Sequence, residues 1–313
     1  MKELTAATRG GELAIAQTRI IEGMLRTSDP DLRIKVKKVG TKGDSDRSTV
    51  LWKLNGAGFF TSRVEEVLLA GEADFAVHSF KDLPVKENES LIIAAVCNRE
   101  FAEDCLIAAG RVNSIEELPV SARVGTSSLR RVVQIRHLRA DLEPVPIRGN
   151  VPTRIGKVDK REFDAIVLAR AGVERIGLAE RISFCFNPLE FLPAAAQGAL
   201  AVQCREGNDR VREILSRIND EEARISSFAE RKVLSEMQCG CHAPVGVFAK
   251  IDGDDIIIRA FISDLQGSKF IKRAEKASVG KAEQLAKKIG FELLNAGGRE
   301  ILKKLERQNE AGS

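Results

Sequence analysis

The sequence contains no tyrosine and only one tryptophan among its 313 residues. A base-stacking surface would have to come from phenylalanine or arginine, which weighs against a module that reads RNA sequence. Long apolar runs are missing too: no stretch approaches the roughly 20 residues that a spanning helix needs. The opening residues, MKELTAATRGGELAIAQTR, show nothing like the apolar centre of a signal peptide. Six cysteines, at 97, 105, 185, 204, 239 and 241, are dispersed rather than set out as a disulfide framework, so the expected compartment is a reducing cytosol. Neither a glycine-lysine phosphate loop nor a dinucleotide fingerprint is present. Basic residues exceed acidic ones by four, 49 against 45, too few to indicate a nucleic-acid-binding face without clustering.

What is present is a repeated alternation of short apolar segments with longer amphipathic ones. RIKVKKVG, SRVEEVLLAGEA, DFAVHSF and LIIAAVC form a first series, and the pattern restarts near residue 104 with DCLIAAG and runs to FDAIVLARAGVERIG. Strands alternating with helices predict parallel α/β sheets. QGALAVQCREGN and DRVREILSRIND add a strand and a helix that can return to the first series. From about Glu221 the style changes to a helix, a hairpin around AKIDGDDIIIRAFISD and one long C-terminal helix. The expected domains are therefore residues 1–98 with 199–216, residues 104–192, and an α+β domain over 221–313. No solenoid repeat or low-complexity tract occurs.

Four stretches carry chemistry. In VGTSSLRRVVQIRHLR a strand ends at Gly125, the hydroxyls of Thr126, Ser127 and Ser128 sit at the cap, and Arg130 and Arg131 add cations where a helix dipole already favours an anion. PIRGNVPTRIGKV repeats the arrangement with Arg148 and Arg154. Two helix starts that accept arginine against the dipole predict anionic ligands, carboxylates before nucleotide phosphates, with Arg9 and Arg175 as further members of the cluster. DFAVHSFKDLP empties a strand into a turn bearing Lys81 and Asp82, at the end of a strand where open α/β sheets bind ligands. On residue types alone that pair is more often a surface ion pair, and His78 serves equally as a structural histidine. In MQCGCHAPVG, Cys239 and Cys241 lack a second metal-ligand pair, and a disulfide between them would be a strained ring. A glycine-flanked thiol near arginines and His242 describes a nucleophile or attachment point, with an ordinary loop cysteine as the alternative.

The motifs ADFAVHSFKDLP, VGTSSLRR, IRGNVPTR, AAAQGALAVQCR and CGCHAPVG, in this order, resemble the porphobilinogen deaminase (hydroxymethylbilane synthase) family over essentially the whole chain. The resemblance implies two periplasmic-binding-protein-like α/β domains hinged around a cleft, with a smaller α+β domain presenting Cys241. It implies a cytoplasmic, monomeric transferase of porphyrin and haem biosynthesis that condenses four porphobilinogen molecules with loss of ammonia. It assigns Cys241 as the thioether anchor of a dipyrromethane cofactor and Asp82 as the catalytic carboxylate, which steadies the substrate cation and is a candidate for proton transfer to the leaving amine. Lys81, Thr126, Ser128, Arg130, Arg131 and Gln197 are implied cofactor contacts, and Arg9, Lys53, Arg148, Arg154 and Arg175 substrate contacts. No metal is implied. Gly11 stands where the family has serine, Ala57 where it has lysine, and Cys239 where it usually has glycine. The rival classes are a non-catalytic bilobal anion-binding protein and a phosphate-gripping nucleic-acid binder, the second marked by a steep salt dependence.

Overall fold

The computed structural model describes residues 2–40, 62–86, 88–240 and 243–311. Within them the chain is a mixed α/β protein that divides into two units.

The first unit takes the described residues up to Glu100 and returns for Gly198–Ile225. Its sheet comprises β1 (Lys2–Arg9), β2 (Leu32–Val39), β3 (Phe75–Ser79), β4 (Leu91–Cys97) and β10 (Leu200–Arg205), in the order β2-β1-β3-β10-β4. Both faces are covered, as alternation along the strands requires. Ala6, Phe75, Val77 and Val202 pack with Ile21 and Leu25 of helix α1 (Glu12–Ser28) and with Val211 and Leu215 of a later helix, Asp209–Ser216. Ala7 and Ala76 face Val64, Val67 and Leu68 of α2 (Ser62–Leu69) on the other side.

The expectation of parallel sheets is corrected here. β1 runs parallel to β2 and β3, but β10 runs antiparallel to both of its neighbours, β3 and β4. Strand–helix alternation dictates parallel pairing only where a crossover helix returns the chain to the same end of the sheet. β10 enters from an irregular segment and is free to run the other way.

The second unit begins with Phe101–Gln197 and resumes at Ser226. Its larger sheet has the order β7-β6-β8-β5-β9, built from β5 (Asp104–Ala108), β6 (Arg123–Gly125), β7 (Glu143–Val145), β8 (Ala165–Ala169) and β9 (Phe184–Cys185). β6 is parallel to β7 and β8, while β5 is antiparallel to β8 and β9. Helices α3 (Leu129–Leu138), α4 (Val151–Asp159) and α5 (Arg170–Glu174) follow β6, β7 and β8.

The same unit contains an antiparallel sheet, β11 (Val245–Asp252), β12 (Asp255–Ser263) and β13 (Phe270–Ser278), with the helix Glu221–Glu236 leading into it. The β11–β12 turn is Gly253–Asp254, with Gly253 at φ 61° as a tight hairpin demands. β13 is an addition to the expected hairpin. The single long C-terminal helix is also corrected: Ala282–Leu293 and Arg299–Ala311 are separate helices, broken where Gly297 takes φ 114°.

Candidate active site

In the first unit, β3 delivers a short turn of 3-10 helix, Phe80–Asp82. Phe80 is fully buried and donates its backbone N–H to Ala199 O, while Leu83 is 2% exposed and closes the turn on Phe80 O. Anchored by these two apolar side chains, the residues between them turn outward: Lys81 is half-buried and Asp82 exposed. Behind the turn, Gln17 Nε2 of α1 donates to Ser79 Oγ at 2.7 Å. His78 is buried, and burial pushes it down to about 4. It is a neutral structural histidine, the plainer of its two readings. Arg9 ends β1, followed by Gly11, which occupies the N-cap of α1 without a capping side chain.

In the second unit the two helix starts are locked to one another. Ser127 Oγ donates to Ile147 O at 2.6 Å and accepts from Ile147 N at 3.1 Å. Gly125 lets the elements close in, because a Cβ there would lie 2.9 Å from Ile166 and 3.0 Å from Phe163. Asn150 caps α4 by accepting from Thr153 N at 2.9 Å. Ser128 is the N-cap residue of α3, with no side-chain cap bond, and its backbone N–H instead reaches the buried Thr126 Oγ1 at 3.3 Å.

The arginines of these two helix starts differ in environment. Arg130 and Arg131 are buried, 4% and 7% exposed, and both meet Asp104, which has no exposed surface. Arg130 Nη1 and Arg131 Nη2 each lie 2.7 Å from its carboxylate, and Gln197 Nε2 donates to it at 2.9 Å. Burial alone would raise the Asp104 carboxyl, but the two guanidinium groups outweigh it and hold the group well below the usual carboxylate range. Burial likewise lowers Arg130, with Asp104 acting against it. These are not the solvated cations that the sequence alone allowed, and part of their charge is met inside the protein.

Arg154 is half-buried and donates through Nε to Gly149 O at 2.7 Å. Burial, then the like charges of Arg131 and Arg148, push it down to about 10. Two further cations acting on Arg154 favour an anionic ligand there, whose arrival would relieve the repulsion.

Of the residues expected at the site, the structure brings together Arg130, Arg131 and Gln197 around Asp104, and Arg131, Arg148 and Arg154 as a cationic group. Thr126 and Ser128 share the turn that starts α3. Arg175 caps the end of α5, donating its backbone N–H to Ala171 O. Lys53, Ala57 and Cys241 lie outside the described residues. Asp104 is the participant that sequence reasoning missed. Its only trace was a lone acid at the head of the apolar run DCLIAAG. Among the described residues, no group of three or more His, Cys, Asp or Glu side chains is assembled to hold a metal ion.

Comparison with known proteins agrees across nearly the full chain. Residues 4–213 match the family model described as "Porphobilinogen deaminase, dipyromethane cofactor binding domain", and residues 225–295 match "Porphobilinogen deaminase, C-terminal domain". A porphobilinogen deaminase of Syntrophomonas wolfei is 40% identical over 302 residues, covering 96% of this chain and 98% of that protein. One from Campylobacter concisus is 38% identical over 308 residues, covering 98% and 99%. Among solved structures, the substrate-binding domain of a putative molybdenum ABC transporter from Clostridium difficile is a looser likeness, with TM-score 0.47 and 12% identity over 74% of this chain and 97% of that one.

Proposed function

Because the chain belongs to the porphobilinogen deaminase family, we propose that its described residues divide the work of that reaction between an outward carboxylate, Asp82, and the arginines gathered at two helix starts. The enzyme is a hydroxymethylbilane synthase, a transferase that joins four porphobilinogen molecules head to tail and releases ammonia at each step. Its cofactor is dipyrromethane, which when bound supplies the two-ring chain end from which the product grows. Cys241, by its place in CGCHAPVG, is the proposed thioether anchor.

Each porphobilinogen carries an acetate and a propionate, so binding brings two carboxylates with every ring. Arg148 and Arg154 answer that charge pattern together with Arg131, and the observation that carries the reading is the seating of Arg130 and Arg131 on one buried carboxylate, with the charges of Arg131 and Arg148 both bearing on Arg154. Arg9 and Arg175 extend the set, while Arg130, Arg131, Gln197, Thr126, Ser128 and Lys81 hold the cofactor. Bidentate guanidinium contacts fix the orientation of a carboxylate as well as its charge, which positions the reacting carbon of the substrate.

Loss of ammonia breaks the aminomethyl C–N bond and leaves a cation delocalised over the pyrrole of the substrate. Asp82, an ionisable acid exposed at the end of β3, accepts hydrogen bonds from pyrrole N–H and stabilises that cation as it forms. The same carboxyl is our candidate for proton transfer to the departing amine. A C–C bond to the next ring then forms, and the displaced ring proton leaves.

Among the described residues, no helix is long and apolar enough to cross a membrane. We place the enzyme in the cytoplasm as a monomer; light scattering on the eluting protein tests the oligomeric state. The experiment for the function is the intact mass of protein from cells that make porphobilinogen. A mass two linked pyrroles above the chain, lost in Cys241→Ser, is expected. A bare wild-type chain overturns the reading.

A further inference from the structure

Asp104 opens β5 with no exposed surface, and four donors converge on it. Arg131 reaches Oδ1 through Nη2 at 2.7 Å and Nε at 3.2 Å, Gln197 Nε2 reaches the same oxygen at 2.9 Å, and Arg130 Nη1 reaches Oδ2 at 2.7 Å. We propose that Asp104 is a positioning residue, a built-in carboxylate that fixes Arg130 and Arg131 in the orientation in which they receive the carboxylates of the dipyrromethane group. This rests on the functional reading above.

Charge balance separates this role from plain stabilisation. A buried carboxylate needs a counter-charge, and one arginine would supply it. Here two buried guanidinium groups share one carboxylate, so the trio keeps a surplus positive charge, and the charge of Arg131 also bears on Arg154. Such a surplus is costly in the ligand-free protein and is offset when an anion arrives.

The geometry is fixed on every side. Arg131 Nη1 also donates to Val167 O at 2.9 Å, and Arg130 Nη1 to Leu192 O at 2.7 Å, so backbone carbonyls of two different segments set the tilt of the guanidinium planes. Gln197 Nε2 is shared with Ala102 O at 2.8 Å. The residue before it, Ala196, takes φ 59°, a left-handed conformation that costs a non-glycine residue about 1 kcal/mol or more. Its N–H is caught at 2.6 Å by Glu230, a residue with no exposed surface whose other oxygen accepts from Ala249 N at 2.7 Å. A strained turn braced by a buried acid on one side thus delivers Gln197 to a buried acid on the other, a heavy investment for holding two arginine heads still.

Asp104→Asn and Asp104→Glu test the proposal, each purified from porphobilinogen-producing cells beside wild type. Intact mass gives the fraction of chains that carry the two-pyrrole adduct, thermal melting gives the folded state, and steady-state kinetics of loaded chains separate KM from kcat. Positioning predicts that folded Asp104→Asn falls from nearly full loading to less than half, and that its loaded chains show KM raised about tenfold with kcat within about threefold. Asp104→Glu keeps the charge but displaces the carboxylate by one methylene, and it too should load poorly. Should Asp104→Asn not fold, Asp104→Glu decides alone. Folded variants with wild-type loading and KM, or failure of both to fold, would make Asp104 a structural residue and end the proposal. Those results beside a loaded wild type leave the functional reading standing, whereas a wild type without the adduct removes both.

Discussion

Arg131 grips Asp104 through two nitrogens, at 2.7 and 3.2 Å, and neither side chain is more than a tenth exposed. A buried ion pair of this kind adds little net stability, because desolvation consumes most of the Coulomb gain. Its value lies in direction: the guanidinium of Arg131 cannot turn without abandoning a buried carboxylate. Arg130 and Arg131, at the start of α3, therefore stand in fixed positions before any ligand binds.

Asp82→Asn should separate folding from chemistry. The side chain is exposed, so the variant should melt within about 0.5 kcal/mol of wild type. Removing the charge that steadies the substrate cation should lower kcat by about a hundredfold to a thousandfold, in line with the loss of one well-placed electrostatic partner. Single-turnover formation of ammonia provides the measurement, and near-normal turnover would remove Asp82 from the mechanism.

Arg154→Gln should strengthen the ligand-free protein and weaken its hold on substrate. Arg131 and Arg148 both disfavour the charge on Arg154, so removing it relieves repulsion, by up to about 1 kcal/mol at a partly screened site. The same change deletes a charge-assisted contact and should raise KM about tenfold. Thermal melts and initial rates on one preparation would expose the opposed effects; a drop in stability contradicts the account of the cluster.

His78 predicts a loss of stability on mild acidification. Its folded-state pKa is about 4 against 6.5 for the free side chain, so between those values the unfolded chain binds the extra proton. Stability attributable to this group is complete above pH 6.5 and declines as pH falls toward 4, by up to about 3 kcal/mol for a shift of this size. Denaturant melts at pH 7 and pH 4.5 should show the loss, and His78→Gln should reduce it. An equal loss in both proteins would refute the assignment.

Gly125→Ala should cost about 1–3 kcal/mol. The new methyl would press on Ile166, Phe163 and Ile147, all of them core side chains, at 2.9 to 3.1 Å, and overpacking of this degree forces side chains off their rotamers. Urea unfolding measures it, and an unchanged midpoint would show that the contact relaxes freely.

The sequence made some of this legible and hid the rest for physical reasons. The turn at Lys81 and Asp82 could be placed because the short apolar run Phe75–Val77 gives way to a polar stretch at the end of β3. The first helix start was visible from hydroxyl residues at its cap followed by helical spacing, and the second from a strand end running into proline. Asp104 was not visible, since an acid at the head of a strand has the same local pattern whether it faces water or two arginines drawn in from residues 130 and 131. β13 was overlooked because FIKRAEKAS pairs half-buried positions with an exposed charged face, which reads as solvated chain. The break between the last two helices hinges on Gly297, and glycine inside a helical pattern marks a possible stop without specifying one. Strand direction is a long-range property, so nothing within residues 200–205 could announce that they run against their neighbours.

That insertion of β10 between β3 and β4 bears on how the protein is made. A nascent chain that has reached residue 100 holds four of the five strands of its first sheet, with the two inner edges facing a gap. Their hydrogen-bonding groups wait unpaired while the ribosome adds another hundred residues. During that interval the emerging polypeptide is open to capture by chaperones or by a second nascent copy, and a premature stop anywhere before residue 200 would leave the gap unfilled for good.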